Sequence, residues 1–333
     1  MLQDLGVGVA ITGTGSCAPA TSLDNKGLSQ VVDTSDEWIS SRTGIGSRRL
    51  AGVDVSLCTI ASQASLNAIE MAQIQPTDID LIILATSTPD DLFGTANQIQ
   101  AKIGATSAVA FDLTAACSGF VFGMVTAAQF IRTGVYHNVL LIGGDILSRW
   151  VDWGDRNTCV LFGDGAGAIV MQANGRDRLL GFEIRSDGTQ NGCLNLAYRP
   201  QLKELLEGVT IGQGTFHPIT MTGKEIYRFA VNKVPEVIEK ALCRASLTVA
   251  DVDWLLLHQA NQRILDAVAQ RLKISPEKVI SNLSTYGNTS AASIPLALDE
   301  VVRAAKIQPG DTIVTAGFGA GLTWGAAVFQ WGR

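Results

Sequence analysis

The sequence predicts an α/β protein built from a duplicated unit. Three observations carry the prediction: strands and helices alternate along the chain, the strands are apolar on both faces, and one half's pattern recurs in the other. With 333 residues, 47% hydrophobic and 17% charged, the chain can bury a large core. A formal net charge of −6 argues against nucleic acid as the main partner, while leaving room for a local basic patch. No apolar stretch reaches 18 residues, and "MLQDLGVGVAITGTGS" lacks the features of a signal peptide, so a cytoplasmic protein without membrane contact is expected. Six scattered cysteines and three histidines suit neither a zinc site nor a disulfide framework.

The repeat is explicit. "LNAIEMAQIQPTDIDLIILATS" (66–87) aligns with "EKALCRASLTVADVDWLLLHQA" (239–260) at an offset of 173 residues. Ala68 meets Ala241, Ala72 meets Ala245, Asp78 and Asp80 meet Asp251 and Asp253, and Ile82-Ile83-Leu84 meets Leu255-Leu256-Leu257. Each copy reads as an amphipathic helix, a turn and a strand of a parallel sheet covered on both faces. "VLLIGGD" (139–145) has a counterpart in "TIVTAGFGAG" (312–321), and "GAIVMQ" (167–172) in "GAAVFQ" (325–330). Two halves are therefore expected, 1–174 and 175–333. Residues 187–223 have no counterpart in the first half and read as an insertion or flap.

In "LTAACSGF" (113–120), a strand reaches its C-terminal end and a buried helix follows, closed by Gly134. Cys117 sits at that junction, where α/β sheets bind ligands and where a helix N-terminus favours a thiolate. Packing is the default role of a free cysteine, so context has to argue for chemistry. The repeat supplies it: at the same offset Cys117 maps to Ser290 in "STYGNTSAAS", and the second-half strand ends directly in His258. Two junctions of the second half thus offer His258 and Asn288, whereas His137 and His217 lack such placement.

These residues resemble the thiolase-like condensing enzymes, and within them the β-ketoacyl-acyl-carrier-protein synthase III family. The matching stretches are "TSDEWISSRTGI" (34–45), "AACSGF" (115–120), "DRNTCVLFGDGAGA" (155–168), "HQAN" (258–261), "YGNTSAAS" (286–293) and "GFGAGLTWG" (317–325). The resemblance spans nearly the whole chain and implies a five-layered α-β-α-β-α fold. Its Cys-His-Asn set falls on Cys117, His258 and Asn288, in contrast to the Cys-His-His of elongating synthases. Cys243 is the last cysteine, so the second catalytic cysteine of thiolases has no counterpart.

By this resemblance Cys117 takes an acyl group from coenzyme A, and His258 and Asn288 stabilise the thioester oxygen while malonyl-acyl carrier protein loses carbon dioxide. The acyl-cysteine oxyanion is assigned to the backbone N–H of Cys117 and one from the turn Gly319-Ala320-Gly321. Ala320 replaces a family glycine there, and a positive φ would strain it. The resemblance also implies coenzyme A contacts at Trp38, Arg42, Arg156 and Lys224, the last where the family has asparagine. Phe93 and Phe318 fall at the acyl pocket or its entrance. Lys224, Arg228, Arg263 and Arg271 are the expected patch for the acidic carrier protein, against a plain reading as solvated charge. "TSDE" also reads as a capping box, which gives Trp38 and Arg42 an ordinary helical role.

Two glycine-rich stretches are decoys. "ITGTGSCAP" has Pro19 where a dinucleotide fingerprint needs helix, and "FGDGAGA" leads into a strand. The expectation is a homodimeric acyltransferase that starts fatty acid synthesis from acetyl-coenzyme A and needs no cofactor, coenzyme A being a substrate. A relative using another primer for a polyketide-type product and a non-catalytic acyl-binding paralogue are the alternatives.

Overall fold

A computed structural model describes residues 7–332; Met1–Gly6 and Arg333, the outermost residues of the two expected halves, lie outside it. The first half supplies β1 (Gly8–Cys17), α1 (Asp36–Thr43), α2 (Leu57–Ala72), β2 (Leu81–Ala85), α3 (Ala96–Ile103), β3 (Val109–Leu113), α4 (Gly119–Arg132), β4 (Asn138–Ile146) and β5 (Asp164–Asn174). The second supplies β6 (Leu179–Ser186), α5 (Gly223–Arg244), β7 (Trp254–Leu257), α6 (Gln262–Leu272), β8 (Val279–Ile280), α7 (Ser293–Arg303), β9 (Thr312–Gly319) and β10 (Thr323–Gln330).

The two five-stranded sheets share one topology, β1-β5-β4-β2-β3 and β6-β10-β9-β7-β8. Each is mixed rather than parallel as expected. The three strands β4-β2-β3 and their counterparts β9-β7-β8 run parallel, while β5 and β10 run antiparallel to both neighbours. In the second half the three-residue turn between β9 and β10 explains the reversal, because a parallel return needs a crossover of a dozen or more residues; residues 147–163 between β4 and β5 are long enough for either direction.

Strand alternation assigns the layers. Ile82 and Leu84 pack outward under α2 and α3, whereas Leu81 and Ile83 face an inner layer made by α4 and α7. In the second half Leu256 and Ile313 face that same inner layer, and Leu255, Leu257 and Val314 face α5 and α6. Burial on both faces is why these strands read as unbroken apolar runs.

The recurring alanines have a packing cause. A methyl group added at Gly13 of β1 would lie 2.2 Å from the Ala68 carbonyl oxygen and 2.9 Å from the Ala72 Cβ. One added at Gly181 of β6 would lie 2.5 Å from the Ala241 oxygen and 3.1 Å from the Ala245 Cβ. Each half therefore presses a helix onto a strand through glycine and small side chains. That contact, rather than a nucleotide, explains the glycines of "ITGTGS".

The offset of 173 fails at the functional turns. Ala116 (φ 47°) and Ser290 (φ 51°) hold the same left-handed backbone, and α4 starts at Gly119 where α7 starts at Ser293. Ser290 therefore corresponds to Ala116 and Cys117 to Ala291, one residue from the expected match. The second half inserts the short helix Leu283–Tyr286 between β8 and its turn, which shifts the register.

The 187–223 segment folds as a hairpin, Tyr198–Leu206 paired with Val209–Phe216, on a base in which Leu194-Asn195 pairs with Thr220-Met221. The hairpin stands exposed, its root fixed by ring contacts of Phe216 with Trp150 and Tyr198. The base, through Leu194 and Met221, and Gly223 after it reach the cavity described below; the hairpin does not. The expected capping box does not form: Ser35, not Thr34, caps α1 by accepting from the Trp38 N–H at 3.1 Å, and Trp38 at the third helical position has no acceptor to complete the box.

Candidate active site

Cys117 lies in the one-turn 3-10 segment Ala116–Ser118 that opens into α4. The C-terminal end of β9, from the other half, runs against this turn with no room for side chains. A methyl group at Gly319 would stand 2.8 Å from the Cys117 nitrogen, and one at Gly317 would stand 2.9 Å from the Ser118 Cα. Thr323 fixes the junction, its hydroxyl bridging Ser118 Oγ (2.7 Å) and the carbonyls of Ala115 and Ala320.

His258 follows β7, with its N–H donated to the Ala316 carbonyl at 2.8 Å. Its ring is 1% exposed, meets Phe318 edge to face at 5.3 Å, and places Nδ1 2.7 Å from Ser293 Oγ. Burial pushes its pKa down to about 3, so the imidazole is neutral near pH 7. Asn288 is held at both backbone groups, donating to the Leu161 carbonyl and accepting from Gly163 N–H. Its Oδ1 accepts from Ser290 N–H at 2.9 Å, which fixes the amide orientation and leaves Nδ2 as a donor.

The three side chains line one cavity of about 110 Å³, joined by Phe318 and Gly319 and by an apolar wall that includes Phe162 and Ile226. Burial pushes the Cys117 thiol up to about 12, although the Ser290 hydroxyl pulls it down. The α4 N-terminus also pulls it down, by roughly 2 kcal/mol at most, too little to offset the shift. The expected depressed pKa is therefore not met in this cavity, and burial favours the thiol as the resting form. Behind it, the fully buried Asp145 of β4 accepts from Thr86, Ser87 and Thr88 and from the Ala291 N–H. Burial raises its carboxyl pKa against those bonds.

Other expected residues fall in distinct places. Arg42 and Arg156 flank the Trp38 ring at 4.9 and 5.2 Å, and Asn261 at the cavity mouth donates to the Arg42 carbonyl. Lys224 is exposed beside Gly223 at the cavity rim. Arg263 stands over Tyr227, but Arg228 is paired with Glu225, and Arg271 bonds to Val231 and Asn232. Two of the four expected carrier-protein cations are thus engaged within the chain. Ala320 is not among the cavity-lining residues; the positive φ of its turn falls on Gly321, so the expected strain is absent.

Phe93 departs furthest from expectation. It is 98% exposed and lines a separate surface hollow beside Phe111 of β3, not the cavity around Cys117. The loop that carries it follows β2 and lies beside the edge strand β3. The sequence alone marks neither Ser293 nor Asp145: Ser293 is one of several small residues in "YGNTSAAS", and a buried aspartate at a strand end has no periodic signal.

Residues 242–331 match the family described as 3-Oxoacyl-[acyl-carrier-protein (ACP)] synthase III C terminal, and residues 111–188 that described as 3-Oxoacyl-[acyl-carrier-protein (ACP)] synthase III. The chain is 68% identical over 332 residues to beta-ketoacyl-[acyl-carrier-protein] synthase III of Acaryochloris marina, covering 100% of both chains. It is 72% identical over 327 residues to that of Nostoc sp., covering 98% of this chain and 99% of the other. Among solved structures, 3-oxoacyl-[acyl-carrier-protein] synthase III from Aquifex aeolicus superposes with a TM-score of 0.88 at 41% identity, over 97% of this chain and 100% of that one. The priming β-ketosynthase of the R1128 polyketide pathway gives 0.89 at 33% identity, over 98% and 97%.

Proposed function

This chain belongs to the 3-oxoacyl-[acyl-carrier-protein] synthase III family, and on that premise we propose that its Cys117, His258 and Asn288 carry out the condensation that initiates fatty acid synthesis. The supporting observation is the donor pair: a neutral imidazole and an amide of fixed orientation share one cavity with the thiol.

In the first half-reaction the Cys117 sulfur attacks the carbonyl of acetyl-coenzyme A, and its proton leaves with the coenzyme A thiol. In the second, the malonyl thioester of the carrier protein loses carbon dioxide and negative charge collects on the thioester oxygen. The step needs hydrogen-bond donors and no base. His258, through Nε2–H, and Asn288, through Nδ2–H, donate there, each worth about 3 to 4 kcal/mol in a site closed to water. The enolate carbon attacks acetyl-Cys117, whose oxyanion is held by the N–H groups of Cys117 and Ala320. Acetoacetyl-carrier protein forms and the sulfur leaves as thiolate. Its high proton affinity in the buried site then favours recapture of a proton and return to the resting thiol.

Trp38 with Arg42 and Arg156 holds the nucleotide end of coenzyme A, and Lys224 stands on its path. Arg263 and Lys224, with Arg228 and Arg271 beside them, face the acidic carrier protein. The enzyme acts as a homodimer. The exposed Phe93 and the unpaired edge β3 support that assembly, in which Phe93 reaches the partner subunit's acyl pocket. The halves 1–174 and 175–333 act as one unit, and coenzyme A enters as a substrate, with no resident cofactor. Six free cysteines suit a reducing cytoplasm, and among the described residues no helix is long and apolar enough to cross a membrane.

Intact-protein mass spectrometry after mixing with acetyl-coenzyme A tests this reading. An acetyl adduct should appear with Cys117, be absent in Cys117→Ala, and vanish on adding malonyl-carrier protein. No adduct with any primer in folded protein would favour a non-catalytic acyl-binding role. The likeness to the R1128 priming enzyme supports a second reading, a polyketide-type enzyme using another acyl-coenzyme A primer, which titration of primer length separates.

A further inference from the structure

The two halves place different pairs at equivalent positions. Ala85 ends β2 and Gly119 opens α4; a methyl group added at Gly119 would meet the Ala85 Cβ at 3.2 Å. In the second half the same two places hold His258 and Ser293, and the contact becomes a hydrogen bond of 2.7 Å between Nδ1 and Oγ. A packing contact in one half is a polar pair in the other.

The direction of that bond follows from a second one. The Gln259 backbone N–H, which can only donate, reaches Ser293 Oγ at 3.3 Å. The hydroxyl accepts there, and among the described residues Nδ1 is the one acceptor within reach of its own hydrogen, which would be left unpaired if Nδ1–H were the donor. Ser293 is also the first residue of the 11-residue α7, whose N-terminus lies beside the ring and disfavours a positive charge on it. A neutral imidazole that accepts at Nδ1 carries its proton on Nε2. We propose that Ser293 is a positioning residue that locks His258 in the Nε2–H tautomer, so that the ring enters the cavity as a hydrogen-bond donor rather than as a base for Cys117. The consequence for catalysis rests on the donor role assigned to His258 above, and it is specific to the decarboxylating half-reaction.

The direct test is long-range ¹H–¹⁵N NMR of the ¹⁵N-labelled full chain. Only three histidines are present, and His258→Gln assigns the signal. The expected spectrum shows Nε2 protonated and Nδ1 bare; the opposite tautomer overturns the proposal without any Ser293 variant. Ser293→Ala should leave acetylation of Cys117 within about twofold while carbon dioxide release from malonyl-carrier protein, on pre-acetylated enzyme, slows about tenfold or more. Ser293→Thr, which keeps the hydroxyl, should restore it. Folded Ser293→Ala with unchanged carbon dioxide release, or with both half-reactions slowed equally, overturns the proposal. Failure of wild-type Cys117 to acylate would instead sink the catalytic reading and leave the tautomer result standing.

Discussion

His258 makes folding stability depend on pH in a way that one substitution isolates. Burial holds its pKa at about 3, against 6.5 for a free imidazole. Between those values the unfolded chain binds a proton that the folded chain refuses, so stability falls as pH falls below 6.5. Each unit of pH in that window costs about 1.4 kcal/mol, and lowering pH from 7 to 5 costs roughly 2 kcal/mol from this one group. Asp145 and Asp164, whose carboxyls are pushed up by burial, change the total in the other direction. They are shared with a His258→Gln variant and cancel in the comparison. Urea unfolding of both proteins at pH 7 and pH 5, at one protein concentration, should show wild type losing about 2 kcal/mol more than the variant. Equal losses would mean that the imidazole titrates normally in the folded chain, and the reasoning that makes it a neutral donor would fail with it.

Three further outcomes follow from the geometry. Gly319→Ala places a methyl group 2.8 Å from the Cys117 nitrogen, and the displaced nucleophile should acetylate about 10- to 100-fold more slowly by time-resolved mass spectrometry, with the fold kept by circular dichroism. Arg42→Ala combined with Arg156→Ala strips both cations from Trp38 and should raise KM for acetyl-coenzyme A about tenfold or more with kcat little changed; a fall in kcat alone would argue against a binding role. Gly13→Ala and Gly181→Ala push equivalent helices off equivalent strands, and each should cost about 1 to 3 kcal/mol in urea unfolding; a neutral result at either would refute the packing account of the repeated alanines.

Much of this was legible because it leaves periodic traces. Ile82-Ile83-Leu84 and its repeat announce strands covered on both faces, and Ala68 and Ala241 mark helices that must lie close to a strand. The grouping of Cys117, His258 and Asn288 was legible as three junctions that follow strands, although a short helix separates Asn288 from β8. Antiparallel β5 and β10 were not, because direction depends on the loop rather than on the strand's own residues. Nor was the one-residue register change, since the helix Leu283–Tyr286 alters spacing without altering the small-residue turn that follows. The raised pKa of Cys117 is not legible in the sequence for a related reason. A helix N-terminus can be inferred from sequence, but the burial that outweighs it depends on elements distant along the chain, β9 among them.

The duplication explains why the chemistry is divided as it is. Each half presses a functional turn against a glycine of the other half's sheet: Gly317 against Ser118, and Gly143 against Ala291. The two turns therefore face each other across one cavity, with the helices α4 and α7 opening away from it. In a symmetric ancestor both turns would have carried the same groups. Here the nucleophile stands at Cys117 and its counterpart is Ala291, while His258 and Ser293 stand opposite Ala85 and Gly119. A nucleophile must be followed by a helix N-terminus and lie next to backbone N–H donors, whereas the decarboxylation donors must face it from the far side at fixed orientation. Placing the thiol in one half and the donors in the other meets both demands, and two backbone changes in the second half, the helix Leu283–Tyr286 before Asn288 and the inserted segment that brings Leu194 and Met221 to the cavity, accompany the divergence of side chains.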